Sequence, residues 1–295
     1  MTAYFYLSAV ILLWAATPLI VTELSKQLPV FEITFLTTGF ATATMALAIS
    51  IKRKWKRFRA YSGRDFLAMG LLGSAGIFPY TTLYYLALSL APSSAGEINI
   101  INYMWPIWII ILSSLILKEK ISLMKIAGIL ISFAGVYVIL SGGNLIRFQV
   151  ARFQAYAIAG AGAFFWGLFS VLGKRNRFEA LTAMFVHDLA ALVCFAMLAF
   201  GLSSFRAPSA AHWGLLLLLG GLVNGLGYLF WILALRKGDT AKLSMAVYLT
   251  PFVALLYLAL FGREIVMPFH LAALVLIIAG PVIQRFTGNN DTRTP

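Results

Sequence analysis

Apolar residues fall in runs of membrane length along nearly the whole chain, separated by short polar links. Ten such runs occupy approximately residues 3–24, 29–51, 65–90, 94–117, 122–141, 154–174, 179–202, 211–235, 240–261 and 267–286. A bilayer core of about 30 Å needs about 20 apolar residues as helix. The runs lack the strict apolar–polar alternation of a barrel strand, so each is predicted as a transmembrane helix. Several links are barely long enough to reverse the chain, which places consecutive helices antiparallel in a bundle. The predicted fold class is an all-α polytopic membrane protein.

Composition points the same way. Hydrophobic residues make up 61% and charged residues 11% of the chain, against about 25% charged in an average soluble domain. The formal charge of +13 does not imply nucleic acid, because the basic residues sit in links between apolar runs and form no reading face. A cytoplasmic N-terminus puts Lys52, Arg53, Lys54, Lys56, Arg57, Arg59, Arg64, Lys118, Lys120, Lys125, Lys174, Arg175, Arg177, Arg236, Lys237, Lys242, Arg285 and Arg293 inside. Only Lys26, Arg147, Arg152, Arg206 and Arg263 then lie outside. That bias predicts that both termini are cytoplasmic. The Lys52–Arg59 cluster is read as plain topology and attraction to anionic lipid. No basic stretch precedes the first run, so no cleaved signal peptide is expected. Cys194 is the sole cysteine, which excludes an intramolecular disulfide.

A repeat runs through the pattern. Tyr103, Pro106, Glu119 and Gly135 recur as Tyr248, Pro251, Glu264 and Gly280, each 145 residues later. Lys118 with Arg263, and Gly76 with Gly221, keep the same register. Several identities on one offset argue for duplication. Five spans per half is an odd number, so the second half is predicted to enter the membrane from the opposite side. The expected organisation is ten transmembrane helices as two inverted five-helix repeats, residues 1–143 and 152–287, with a short polar tail at 288–295. Inverted repeats of this kind flank the central cavity of many transporters.

The segment Glu97-Ile-Asn99-Ile-Ile-Asn102-Tyr103-Met104-Trp105-Pro106 places an acid, two amides, two aromatics and a proline inside one predicted helix. On a continuous helix Glu97, Ile101 and Met104–Trp105 share one side, and Asn99, Asn102–Tyr103 and Pro106 a neighbouring one. Pro106 removes an internal hydrogen bond, which a membrane helix tolerates against protein or water. A substrate cavity supplies both; helix–helix contact with Pro106 as a kink is the alternative. Pro251 is its repeat-matched counterpart and a second candidate helix hinge.

Trp14, Tyr80, Tyr84, Tyr85, Trp166, Tyr228 and Tyr248 also fall within spans, as candidate stacking surfaces for planar or cationic ligands. Gly70, Gly73 and Gly76, and later Gly220, Gly221, Gly225 and Gly227, are read first as sites of close helix approach, with Asn224 a polar group among them. His187-Asp188 sits deep in the seventh span and is a candidate for proton coupling, or a local pair facing a neighbouring helix. Glu23 and Glu32 read as mouth or interface residues, and Glu119 and Glu264 as partners of the basic residue beside each. No phosphate-binding loop, metal-ligand spacing or Ser/His/Asp arrangement is present, so neither an enzyme nor a metal or other cofactor is expected.

Ten spans, two five-helix halves and the paired proline-to-glutamate spacing resemble the EamA-type branch of the drug/metabolite transporter superfamily, over essentially the whole chain. Asn102-Tyr103-Met104-Trp105-Pro106 is similar to the Asn-Tyr-Leu-Trp-Pro motif of YddG-like aromatic amino-acid exporters, and Leu117-Lys118-Glu119-Lys120 to an ending common across the superfamily. The resemblance implies a basket-like ten-helix fold in a bacterial-type inner membrane, with export from a central cavity. It implies cavity-facing roles for Trp14, Asn102, Tyr103, Trp105, Pro106 and Trp166. Stacking by Trp14, Tyr103, Trp105 and Trp166, with Asn102 and Glu97 at the amino-acid head group, is the expected binding mode. The expected partners are a small-molecule substrate and the lipid bilayer, with no obligate protein partner. An exporter of cationic drugs or polyamines is the alternative, with Glu97 as the cation's counter-charge. A non-transporting membrane scaffold ranks below both, as does an organic-phosphate exchanger, for want of interior Lys or Arg.

Overall fold

In a bilayer only a helix or a closed barrel satisfies every peptide group, and the apolar runs take the first solution. The computed structural model describes residues 2–117, 123–144, 152–174, 178–203, 205–237 and 247–287, and among them there is no strand. The helices are α1 (Thr2–Ala15), α2 (Thr17–Leu24), α3 (Val30–Ile51), α4 (Gly63–Ala75), α5 (Ile77–Leu90), α6 (Ala95–Asn102) and α7 (Trp105–Leu117). After them come α8 (Leu123–Leu140), α9 (Phe153–Lys174), α10 (Ala180–Leu202) and α11 (Ala210–Leu217), which runs through a π-helical stretch (Leu218–Leu226) into α12 (Gly227–Lys237). The last two are α13 (Thr250–Leu260) and α14 (Pro268–Thr287). Seven described stretches are long and apolar enough to cross a bilayer; Ile126–Ile139, Thr250–Leu260 and Pro268–Gly280 are shorter apolar helices within three further expected spans.

Several expected spans are not continuous helices. The first breaks at Ala16, the third at Gly76 and the fourth at Tyr103–Met104, while the eighth passes through the π-helical stretch. The two-residue break after Asn102 resets the helical register. Trp105 therefore joins the side of Asn99 and Asn102, not that of Glu97 as a continuous helix predicts. Pro106 is the second residue of α7, and the amides of Ile107 and Trp108 both bond back to the Met104 carbonyl. Its missing N–H falls where a helix has no internal acceptor to lose. Pro251 likewise stands in the first turn of α13, after a short 3₁₀ turn at Val247–Leu249. Both prolines start helices and do not kink them.

Across the chain, α3 packs on α10 and on the π-helical stretch, α10 also on α4, α5 on α9, α1 on α12 and α13, α9 on α6 and α7, and α8 on α14. Small residues set these distances. Gly73 lies against the backbone of His187 and Gly220 against that of Thr37, so the glycine runs do serve close approach. Large apolar side chains such as Leu47, Leu115, Phe200 and Leu260 face outward on the bundle's flanks, as a lipid-exposed surface requires.

Candidate functional site

The breaks converge. Trp14 and Thr17 flank the Ala16 interruption; Tyr80, Tyr84 and Tyr85 come from the helix after the Gly76 break; Asn99, Asn102, Tyr103 and Trp105 straddle the third break. With Trp166 of α9, Asn224 of the π-helical stretch and Tyr228 of α12, they line one recess of about 430 Å³, its open side included and much of it narrow crevice. Interruptions like these expose backbone and redirect side chains, and π-helical turns recur at functional sites for that reason.

The walls are aromatic. The Trp166 ring lies 4.8 Å from Tyr80, 5.0 Å from Tyr228 and 6.4 Å, edge-on, from Trp14. Trp231 closes the group behind Trp14 at 5.8 Å and Trp105 at 6.4 Å. Polar atoms are interleaved with the rings. The Tyr84 hydroxyl donates to Asn99 Oδ1 at 2.6 Å, and the Asn224 amide donates to the Tyr85 hydroxyl at 3.0 Å. Asn102 Nδ2 points at the Tyr80 hydroxyl at 3.4 Å.

Three buried polar atoms of this lining have no partner among the described residues: Trp14 Nε1, Asn99 Nδ2 and Asn102 Oδ1. Two are donors and one is an acceptor. A buried polar group left unpaired costs about 1–3 kcal/mol, and these three are the polar atoms of the lining that the described residues leave unsatisfied. No residue of the lining carries a formal charge.

Most residues singled out in the sequence meet here: Trp14, Tyr80, Tyr84, Asn99, Asn102, Tyr103, Trp105, Trp166, Asn224 and Tyr228. Tyr248's side chain lies outside the described residues, as does Glu119. Thr17 and Tyr85 line the recess as well; Tyr85 showed only as one more interior aromatic, and Thr17 gave no signal. Glu97 is the correction. It belongs to the first turn of α6 and points away from the recess, because two residues on a helix turn it well off the face of Asn99.

The Glu97 carboxylate instead accepts from the Tyr156 hydroxyl and, at 3.3 Å, from Arg152, with His270 Nε2 at 3.5 Å. Glu264 faces the same Nε2, at 3.6 Å, and accepts the Gly96 amide at 2.5 Å. The expected local pairing of Arg263 with Glu264 does not form. Arg263 reaches across to Glu23 at 2.5 Å, which also holds Lys26 at 2.7 Å. Glu32, read as a mouth or interface residue, is fully buried and accepts the backbone amide of Arg206.

His187 and Asp188 do not pair with each other. His187 Nδ1 meets the Met69 carbonyl at 2.7 Å, and Asp188 Oδ2 has no partner among the described residues. Neither lines the recess. His270, Tyr156 and Arg152 escaped the sequence reading because they converge from separate helices; a histidine at the head of the last apolar run was the visible signal.

Burial pushes the Glu264 carboxyl up to about 7 from 4.5, against the opposing donation from the Gly96 amide. The folded chain then holds a proton that the unfolded chain releases between these values. Stability is therefore highest below pH 4.5 with respect to this group and is lost as pH rises through about 7. Thermal melts across this interval should show that decline, and Glu264→Gln should flatten it; an unchanged slope would remove Glu264 as its source.

Comparisons with known proteins agree with the membrane architecture. The family model described as the EamA-like transporter family matches twice, over residues 1–141 and 154–284. Among relatives, the aromatic amino acid exporter YddG of Ancylobacter novellus is 28% identical over 216 residues, covering 72% of this chain and 73% of its own. The exporter of the same description from Salmonella typhimurium is 26% identical over 211 residues, 66% of this chain and 68% of its own. An uncharacterized transporter of Archaeoglobus fulgidus is 26% identical over 262 residues, 85% and 86%. A crystal structure 23% identical in sequence superposes with a TM-score of 0.72 over 99% of both chains, which shows a shared fold.

Proposed function

Because the chain belongs to the EamA-like transporter family, we propose that its aromatic recess is the substrate site and that it exports aromatic amino acids and related small amphipathic metabolites. The observation that carries this is the uncharged aromatic lining with two free donors and one free acceptor. A zwitterion brings both an ammonium and a carboxylate but no net charge. Asn102 Oδ1 suits the ammonium, Trp14 Nε1 and Asn99 Nδ2 suit the carboxylate, and the Trp and Tyr rings suit an aromatic side chain. The relatives named as aromatic amino acid exporters lend support.

A cationic drug or polyamine fits less well. The carboxylate that would meet it, Glu97, is held by Tyr156, Arg152 and His270 outside the recess. Cation–π contact alone remains.

Alternating access follows from the architecture we assign. We read residues 1–143 and 152–287 as inverted repeats of five spans each, with both termini cytoplasmic. Exchange of the two halves relates the observed packing pairs: α1 on α12 corresponds to α9 on α5, α3 on the π-helical stretch to α10 on α4, and α1 on α13 to α9 on α7. The double match of one family model supports the same division. Pro106 and Pro251, each opening a helix after an interruption, are hinges in this scheme.

Trp105→Ala tests the site. Uptake of labelled phenylalanine into proteoliposomes should fall far more, on the order of tenfold or greater, than protein yield does. Equal losses in both would assign Trp105 to packing. Competition by lipophilic cations without competition by tryptophan would transfer the site to cationic solutes, and no flux of any candidate solute would revive the scaffold.

A further inference from the structure

We infer that Glu264, Glu97 and His270 form a proton-binding site separate from the aromatic recess, that Glu264 carries the proton, and that α6 links its occupancy to substrate binding. The inference deepens the transport reading: it names the coupling ion and where it binds.

Geometry assigns the proton. The Met267 amide donates to His270 Nδ1 at 3.2 Å, so that nitrogen presents its lone pair and the imidazole keeps its hydrogen on Nε2. Nε2 faces both carboxylates, at 3.5 Å from Glu97 and 3.6 Å from Glu264. Both ring nitrogens are thus engaged, and of the two carboxylates Glu264 holds the fewer donors. Glu97 already has the Tyr156 hydroxyl and the Arg152 guanidinium on it. Glu264 has the Gly96 amide, and its neighbour Arg263 is turned to Glu23.

Among the described residues, the charged and titratable groups here are Glu97 from α6, Arg152 and Tyr156 from the start of α9, and Glu264 and His270 from α14 and the link before it. Glu97 and Glu264 with one Arg152 leave one uncompensated negative charge among side chains that are only 7% and 6% exposed for the two carboxylates. One proton removes it. Burial already pushes the Glu264 carboxyl up to about 7, and the exposed neighbours Arg263 and Ile265 give it a short path to solution.

The coupling element is α6. Its first turn holds Gly96, capped by Glu264, and Glu97; its remaining residues place Asn99 and Asn102 in the recess. A side chain at position 96 would collide with the Glu264 carboxylate, so the glycine is what lets that cap form. Ionised, Glu264 makes a charge-assisted bond to the N-terminal end of α6; protonated, it holds that end more weakly. A ligand that shifts Asn99 and Asn102 pulls on the same short helix, and the linkage must be reciprocal.

Infrared titration of the full chain in liposomes tests the site without any substrate. The component of the protonated-carboxyl band that disappears as pH rises through about 7 should be lost in Glu264→Gln and kept in Asp188→Asn. Glu97→Gln, which removes the neighbouring negative charge, should move the midpoint to lower pH. Persistence of that component in Glu264→Gln, or a midpoint unmoved in Glu97→Gln, overturns the assignment. Phenylalanine affinity read by tryptophan fluorescence should change by up to about tenfold per pH unit in the wild type and be flat in Glu264→Gln. The same slope in both, with the band lost, overturns the linkage. Absence of phenylalanine binding at every pH would sink the transport reading while the band still decides the site.

Discussion

Trp166→Ala should nearly abolish phenylalanine and tryptophan transport. Trp166 is 4% exposed and stands between Tyr80, Tyr228 and Trp14, so it forms the ring against which the other walls of the recess are set. Removing it takes away an indole shared by these walls and lets Tyr80 and Tyr228 collapse toward the gap. Loss of a central aromatic anchor costs roughly 2–4 kcal/mol of binding, on the order of 30- to 1,000-fold in affinity. A buried Trp-to-Ala change also costs about 3–5 kcal/mol of stability in a core, so yield and melting temperature must be measured beside uptake. Trp166→Phe separates the two effects: it retains a ring for stacking and should recover much of the transport. Failure of the phenylalanine variant, with the protein folded, would mean that Trp166 packs and does not bind.

Gly280→Leu should lower stability through helix packing alone. Gly280 of α14 lies so close to α8 that a Cβ would overlap Ser132 Oγ and the Gly128 backbone. Gly135 presents the same close approach from the other side, against the Ala273 carbonyl. Ser132 also donates to the Ile277 carbonyl at 3.1 Å across this contact. In a bilayer, helix association relies on such packing and hydrogen bonds, because lipid tails are as apolar as leucine. A leucine forces the helices apart and breaks the Ser132 bond, at a cost of roughly 1–3 kcal/mol or more. The melting temperature in detergent should fall by roughly 5–10 °C, while Gly201→Leu, with nothing near its Cβ, should change little. Equal melting temperatures for the two variants would contradict the close packing of α8 on α14.

The membrane-length runs were legible because length and hydropathy alone decide them, and the paired glycines at 135 and 280 were visible through the fixed offset. The aromatic and amide residues of the recess were legible for a related reason. An amide inside a membrane helix needs a polar partner, and the segment from Glu97 to Trp105 put several together. The breaks at Ala16, Gly76 and Tyr103–Met104 were not legible, since an apolar run reads alike whether its helix is continuous or interrupted. That gap put Trp105 on the wrong face. Glu97 was misplaced for another reason: its partners Tyr156, His270 and the Glu264 link lie tens to nearly two hundred residues away, and no local spacing records such a meeting.

The most direct measurement is uptake of labelled phenylalanine into proteoliposomes holding the wild-type chain, with unlabelled tryptophan and a lipophilic cation as separate competitors. Saturable uptake blocked by tryptophan and indifferent to the cation is expected of an uncharged aromatic recess with free polar atoms for a zwitterion. No saturable uptake by folded protein, or competition by the cation alone, would contradict the assignment of that recess to aromatic amino acids.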